Sequence, residues 1–457
     1  MGWPLSKAKP VSPHPPRPTT FSASGPLSGT ARVPGDKSIS HRALMLSAMA
    51  RGRSRIKGLS EGADVASTGA ALAAMGARIE RDPDGTRHVD GVGTGCLLQP
   101  EAALDMGNSG TSARLLAGLI ASHPIQATLI GDASLSRRPM GRVIEPLSRI
   151  GAEFTAAPGG TLPLTIRGLC PAVPREHRLQ VASAQVKSAL LLAALNTPGR
   201  TRVIEPVPTR DHSERMLKRF GAVLRVERDG GETIIDLDGE AELEPQDFAV
   251  PGDPSAAAFL VTAALIVPGS EVRIGGVGIN PLRIGYFNIL KEMGADLRIE
   301  NEREEAGEPV ADLVARHSPL HAIEVPPEAA AGMIDEFPIF FVAAAFAQGT
   351  SRTSGLHELR VKESDRLAAM AAGLKAIGAR VEELEDGLVI HGSGGAPLAG
   401  GGTVTTHLDH RIAMSHAIAA LACRAPVTID DMAPVDTSFP GFAATLGALG
   451  ALGVLGA

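Results

Sequence analysis

Val33-Pro34-Gly35-Asp36-Lys37-Ser38-Ile39-Ser40 returns 217 residues later as Val250-Pro251-Gly252-Asp253-Pro254-Ser255-Ala256-Ala257. Each copy leads through an acidic residue into small apolar residues, over residues 43–50 in the first case and 256–267 in the second. An Asp just before an apolar run is a helix N-cap signal, and a helix apolar on most faces is a buried one. Similar polar starts occur at Asn108, Ser183, Asp335 and Asp409, so that the six are spaced by 72, 75, 70, 82 and 74 residues. A second ladder runs beside the first. Gly-Ala after an apolar residue recurs at Gly76, Gly151, Gly221, Gly294, Gly378 and Gly450. Glycine just past an amphipathic stretch, followed by a β-like run, is a helix C-terminus leading into a strand.

Two ladders in near-constant phase define a repeat. Each unit of about 70–80 residues reads as a buried helix, an amphipathic helix and intervening strands. The duplicated segment is offset by three units, so the expected architecture is α/β with two domains of three units each. The boundary lies near 247: residues 34–247 form the first domain, and 27–33 plus 248–457 the second. Residues 1–26 hold six prolines between Pro4 and Pro18, and no acid precedes Asp36. That is the composition of a disordered tail, short for a transit peptide.

With 44% hydrophobic and 21% charged residues among 457, disorder throughout is excluded. Aromatic residues, at 3%, are too sparse for stacking platforms that hold single-stranded nucleic acid. A net charge of −6 gives no global pull toward nucleic acid or membrane, so any anion site is a local basic cluster. The apolar runs at 256–267 and 337–347 fall short of the roughly 18 residues a membrane span needs. Cys96, Cys170 and Cys423 are far apart with no C-x-x-C, which argues against disulfides or structural zinc and fits a reducing compartment. With no apolar signal stretch at the N-terminus, the protein is expected to be cytoplasmic and monomeric.

Five of the six helix starts carry unusual residues: Lys37, Ser38 and Arg42; Asn108, Gly110 and Arg114; Ser183, Ala184, Gln185 and Lys187; Asp335 and Glu336; His407, Asp409, His410 and Arg411. Helix N-termini bind anions, and a cation placed there is unfavourable unless an anion joins it. N-capping alone accounts for Ser40, Ser183 and Asp253 but not for Lys37, Arg42 and Arg411. Further basic segments lie at Ser136-Arg137-Arg138-Pro139-Met140-Gly141-Arg142, at Thr209-Arg210-Asp211-His212, and at Leu359-Arg360-Val361-Lys362-Glu363-Ser364-Asp365-Arg366. The last is read as opening a helix with Lys362 and Arg366 on one face, Glu363 within reach of Arg366, and Leu367, Met370, Leu374 and Ile377 as its buried stripe. The bland reading of such a run is a solvated charged face. No P-loop, no G-x-G-x-x-G after a strand, no G-x-S-x-G and no H-E-x-x-H occurs, so no cofactor or metal is expected.

Taken together, Pro34 to Arg42, Gly107-Asn108-Ser109-Gly110-Thr111 with Arg114, Arg138-Pro139-Met140-Gly141, Ser183-Ala184-Gln185, Asp335-Glu336, Lys362 to Arg366 and Asp409-His410-Arg411 resemble, in order, the 5-enolpyruvylshikimate-3-phosphate synthase family, in its class II bacterial branch. The resemblance runs from about residue 27 to 445. It implies a two-domain inverted α/β barrel and the transfer of the enolpyruvyl group of phosphoenolpyruvate to the 5-hydroxyl of shikimate 3-phosphate. It also implies roles. Lys37 contacts both substrates; Ser38, Arg42, Ser183, Ala184, Gln185, Arg210, Asp335 and Lys362 hold shikimate 3-phosphate. Asn108, Gly110, Arg138, Gln185, Arg366 and Arg411 surround phosphoenolpyruvate. Asp335 accepts the hydroxyl proton and Glu363 moves the proton at C3. Glyphosate competes with phosphoenolpyruvate, with Gly110 leaving it room. Some members carry a second serine where this chain has Ala184, and others a lysine where it has Asp436-Thr437-Ser438. Two alternatives remain: UDP-N-acetylglucosamine enolpyruvyl transferase, which typically uses a loop cysteine this chain lacks between Asn108 and Arg138, and a non-catalytic anion-binding protein of the same fold.

Overall fold

The computed structural model describes residues 15–451 and 454–456. The six polar starts all lead into helices that vanish into the interior: Lys37–Met49, Gly110–Ala121, Ala184–Ala194, Pro254–Ile266, Phe337–Phe346 and His410–Ala420. They are the first to sixth core helices. The first three belong to a hydrophobic core running from Ile39 to Val250. The other three belong to a second core, which also takes Phe21, Leu27 and Ala31. Among the described residues no single helix is long and apolar enough to cross a membrane; Pro327–Met333 and Phe337–Phe346 reach that composition only as a pair bent by 117°.

Each unit covers its core helix with a four-stranded sheet of one recurring order. In the second unit, Leu104–Asp105 runs parallel to Gln126–Ile130, which pairs antiparallel with Thr161–Arg167, which pairs antiparallel with Glu153–Ala157. The amphipathic helices end at the Gly-Ala dipeptides, and all six glycines have φ between 92 and 106°. That left-handed backbone is open to glycine and costly for residues with a Cβ, which is the physical reason for the repeat. The fold is the expected two-domain α/β barrel of six units.

Three expectations are corrected. Residues 1–14 of the presumed tail lie outside the described residues, but Thr19–Phe21 form a strand between Val427–Ile429 and Val454–Gly456. In the sixth sheet it takes the place that Thr161–Arg167, the fourth strand in chain order, holds in the second. Phe21 is fully buried there, a gain of about 1.5–3 kcal/mol over leaving it in water. Arg17 adds a pair with Asp436 at 3.0 Å. Secondly, the boundary at 247 cuts a strand: Asp247–Ala249 runs parallel to Arg51–Lys57 and completes the first unit's sheet. Correspondingly, Ser28–Ala31 pairs with Glu271–Gly278 in the fourth. Thirdly, the helix expected to open near Leu359 begins at Arg366, after a 3-10 turn at His357–Val361. Lys362 and Glu363 therefore lie in an irregular segment, not on a helix face. Its stripe is as expected: Leu367, Met370, Leu374 and Ile377 are fully buried.

The chain crosses between the halves at the duplicated segment, and the copies meet. The Asp36 N–H donates to Pro251 O at 2.7 Å and the Asp253 N–H to Pro34 O at 2.8 Å. The first-turn side chains also differ in role from a simple capping reading. Asp36 caps the first core helix by accepting from Ile39 N at 2.8 Å, whereas Ser40 sits inside it and accepts from Ser60 N at 3.0 Å.

Candidate active site

In the first domain the helix starts converge through their own side chains. Lys37 opens the first core helix, and its Nζ donates to Asp64 Oδ2 at 2.9 Å. Ser38, half-buried in the same turn, has its carbonyl taken by Arg42 Nη1 at 2.8 Å. Asn108 lies before the second core helix, between Asp132 Oδ2 (2.6 Å) and Arg138 Nη2 (2.5 Å to its Oδ1). Gly110 is the first residue of that helix, behind the cap Ser109. Ser183 caps the third core helix, Ala184 is its first residue, and Gln185 Nε2 donates to Thr111 Oγ1 at 3.0 Å. The starts of the second and third core helices thus touch through Gln185.

The second domain supplies carboxylates. Asp335 pairs with Arg366 Nη1 at 3.5 Å, and its backbone carbonyl accepts from Arg411 Nη1 at 2.8 Å. Glu363 pairs with Arg366 Nη2. Arg366, 1% exposed, also binds Asp409 Oδ2 at 2.8 Å. Asp409 in turn caps the sixth core helix by accepting from Arg411 N at 2.9 Å. Lys362 is half-buried next to Glu363.

The two domains meet across this set. Arg210 pairs with Asp335, Arg138 with Glu363 at 3.4 Å, and Ser134 Oγ donates to the Glu363 carbonyl at 3.3 Å. At the rim Arg142 grips Glu358 with two bonds of 3.0 and 2.8 Å. A groove of about 630 Å³ opens beside these contacts, lined by Arg137 and Arg138 of one domain and Arg360, Lys362 and His407 of the other.

The cations of the cleft act on its carboxylates. Burial opposes ionisation of Asp335, but Arg210, Arg411, Lys362 and Arg366 hold its carboxyl well below the usual range. Burial likewise works against Glu363, and Arg366, Arg138, His410 and Lys37 overcome it. Arg114 is pushed down to about 10, first by burial and then by Arg138. Lys362 is lowered by burial and by Arg366. Burial opposes the charge of Arg366 too, but Asp409 and Glu363 raise its pKa, so depressed Arg114 and Lys362 surround one firmly charged guanidinium.

Of the expected residues, Arg138, Lys362 and Glu363 line the groove, and Arg210, Asp335, Arg366 and Arg411 are joined to one another behind it. Arg42 is 4% exposed, with Nε on Ser213 Oγ at 2.7 Å and Nη2 on Ser188 Oγ at 2.5 Å. Its guanidinium lies between the first and third core helices and is already bonded to protein. Four positions escaped the sequence reading. Asp64 holds Lys37, and Asp132 holds Asn108. Glu358 closes on Arg142. Arg283, 3% exposed at the crossing, reaches Asp253 at 3.2 Å and Asp36 at 3.4 Å. Asp64 lies in the first turn of the helix Ala63–Ala74, where an acid favours the helix dipole, and was legible on that ground; the other three carry no local signal. The segment lacking lysine turns Asp436 outward to Arg17, while its Thr437 carbonyl packs so closely on Gly62 that a Cβ there would lie 2.4 Å away.

Residues 21–446 match the family model described as EPSP synthase (3-phosphoshikimate 1-carboxyvinyltransferase). The 3-phosphoshikimate 1-carboxyvinyltransferase of Sphingopyxis alaskensis is 65% identical over 94% of this chain and 97% of its own length. That of Zymomonas mobilis is 62% identical over 91% and 93%. The EPSP synthase structure from Acinetobacter baumannii superposes with a TM-score of 0.85 at 43% identity, covering 97% of this chain and all of that one.

Proposed function

For a chain that belongs to the EPSP synthase family, and so transfers the enolpyruvyl group of phosphoenolpyruvate to shikimate 3-phosphate on the way to aromatic amino acids, we propose that the reaction runs between Asp335 and Glu363. The observation that carries this is that both carboxylates lean on one buried guanidinium, Arg366, while each also pairs with an arginine of the opposite domain. Shikimate 3-phosphate lies on Ser38, Ser183, Ala184, Gln185, Arg210 and Lys362, with Arg42 supporting Ser38 from below. Phosphoenolpyruvate takes Asn108, Gly110, Arg138, Gln185, Arg366 and Arg411, and Lys37 faces both.

Addition begins as Asp335, ionised by its four cations, accepts the proton of the 5-hydroxyl while the oxygen bonds to C2 of phosphoenolpyruvate. Glu363 gives a proton to C3. In the free enzyme Glu363 is ionised because Arg366 and Arg138 stabilise its charge. A donor anion on the same two arginines draws their charge away and adds its own, which raises the Glu363 pKa and lets it carry a proton. Elimination returns the C3 proton to Glu363, and phosphate leaves from C2. Lys37 and the arginines stabilise the departing charge. Phosphate release, assayed with shikimate 3-phosphate and separately with UDP-N-acetylglucosamine as acceptor, is expected only with the first.

The enzyme is read as a cytoplasmic monomer, supported by free, exposed thiols at Cys96 and Cys170; light scattering tests the monomer. Closing so many cations together is costly until substrate anions enter, so the ligand-free protein is expected to open at the crossing. Small-angle scattering should show the radius of gyration falling when shikimate 3-phosphate is added. An unchanged radius with binding confirmed would rule the hinge out.

Gly110→Ala tests the donor side. A methyl here does not enter open room, as the sequence reading supposes; its Cβ would lie 2.6 Å from Arg114 Nη1 and 3.3 Å from Arg138 Nη1. It therefore displaces the guanidinium tips around the donor, and the larger competitor loses more. The glyphosate inhibition constant is expected to rise at least about tenfold more than the KM for phosphoenolpyruvate. Equal shifts would mean that Gly110 serves only the turn.

A further inference from the structure

Beneath the acceptor side lies an ionic cluster with no access to the cleft. Lys187 is fully buried on the third core helix, two residues beyond Gln185. Its Nζ donates to Glu205 Oε2 at 2.9 Å and to the Thr209 carbonyl at 3.2 Å, and lies 2.7 Å from Glu214 Oε1. The Thr209 hydroxyl closes the ring by donating to the other oxygen of Glu205. One step outward, Ser188 and Ser213 share a bond of 2.7 Å, and both accept from Arg42. Ser188 Oγ donates to the Ala184 carbonyl at 2.6 Å. The first core helix, the start of the third, and the loop that carries Arg210 are thereby tied to one centre.

A buried cation between two carboxylates is a poor way to stabilise a core, because desolvation offsets most of the attraction. What it supplies is direction. Residues 206–211 join the strand Arg200–Glu205 to the helix His212–Arg219 without regular structure of their own. Arg210 must nonetheless point across the cleft at Asp335. Its neighbour Thr209 is held at both its carbonyl and its hydroxyl, and both bonds lead to Lys187 or to the partner of Lys187.

We propose that Lys187, acting through Glu205 and Thr209, is a positioning residue for shikimate 3-phosphate: it aims Arg210 and steadies the Ser183-Ala184-Gln185 turn, setting acceptor affinity without touching the acceptor. This rests on the reading of Arg210 and that turn as acceptor ligands. A residue that merely held the domain together would affect both substrates and the melting temperature alike. A positioning residue of the acceptor side affects one substrate.

Thr209→Val keeps the shape, removes the hydroxyl donor and leaves no charge unpaired. It should raise the KM for shikimate 3-phosphate, and its Kd measured without phosphoenolpyruvate, by about 10- to 100-fold, with kcat and the phosphoenolpyruvate KM within about threefold. The charge-balanced pair Lys187→Met with Glu205→Gln should give the same split; if it does not fold, Thr209→Val decides alone. Equal rises for both substrates, or normal acceptor affinity in Thr209→Val, would overturn the proposal. Arg210→Ala is measured alongside. Normal acceptor affinity there would mean that Arg210 itself is misassigned, whereas weak binding in Arg210→Ala with normal binding in Thr209→Val removes only the role given to Lys187.

Discussion

Glu363→Gln and Asp335→Asn should each bind both substrates yet lose about 10²- to 10⁴-fold in kcat, the range set by removal of a positioned acid or base. The amides keep the size of the acids, so the walls of the cleft stay in place. They also release cations: Glu363 occupies Arg138 and Arg366, and Asp335 occupies Arg210 and Arg366. Neutral side chains leave those guanidiniums freer for substrate anions, so KM should stay level or fall while kcat collapses. That opposite movement marks an interaction made in the transition state. The pH dependence has a defined sign. Both carboxyls are depressed in the free enzyme, so kcat/KM should show no loss from their protonation until the pH falls below the ordinary carboxylate range. On the proposed mechanism Glu363 moves up in the ternary complex, so the acid limb of kcat should lie higher than that of kcat/KM. Near-normal turnover in both variants would return the two acids to the role of ion-pair partners at the domain junction.

Arg138→Ala and Arg411→Ala should each weaken phosphoenolpyruvate by about 2–5 kcal/mol, because each leaves a desolvated anion without its partner. Arg138 is 7% exposed and Arg411 8%, so water cannot take over the lost contact at full strength. The two variants should differ in a second respect. Arg138 also bridges to Glu363 and orients Asn108, so its loss should lower kcat as well. Arg411 binds the Asp335 backbone carbonyl and is one of four cations that depress its carboxyl; with the other three still in place, its loss should fall mainly on KM. Retained donor affinity in either variant would show that the residue had been wrongly assigned to phosphoenolpyruvate.

The sixfold repeat was legible because its signals are local. A left-handed glycine after a helix and a polar cap before an apolar one occupy a few adjacent residues, and the physics that selects them acts at that range. The cationic helix starts were legible for the same reason: Lys37 or Arg411 beside free N–H groups is unfavourable without an anion, wherever the helix lies. The sequence by itself therefore determined the units, their number and a set of candidate residues, though not Asp64, Asp132, Glu358 or Arg283, which hold or face them. Tertiary structure alone decided how those residues are shared. Thr19–Phe21 is a strand only because the last sheet has a place left open, some 400 residues away in the chain. Lys362 and Glu363 leave the helix that their spacing suggested because Glu363 is drawn to Arg366 and, across the domain junction, to Arg138. Arg42 and Lys187 turn inward to serines and carboxylates on neighbouring elements rather than outward to the cleft. Each of these outcomes is a pairing between segments distant in the chain, and the energy of a buried charge depends on which partner reaches it, a quantity that no local pattern contains.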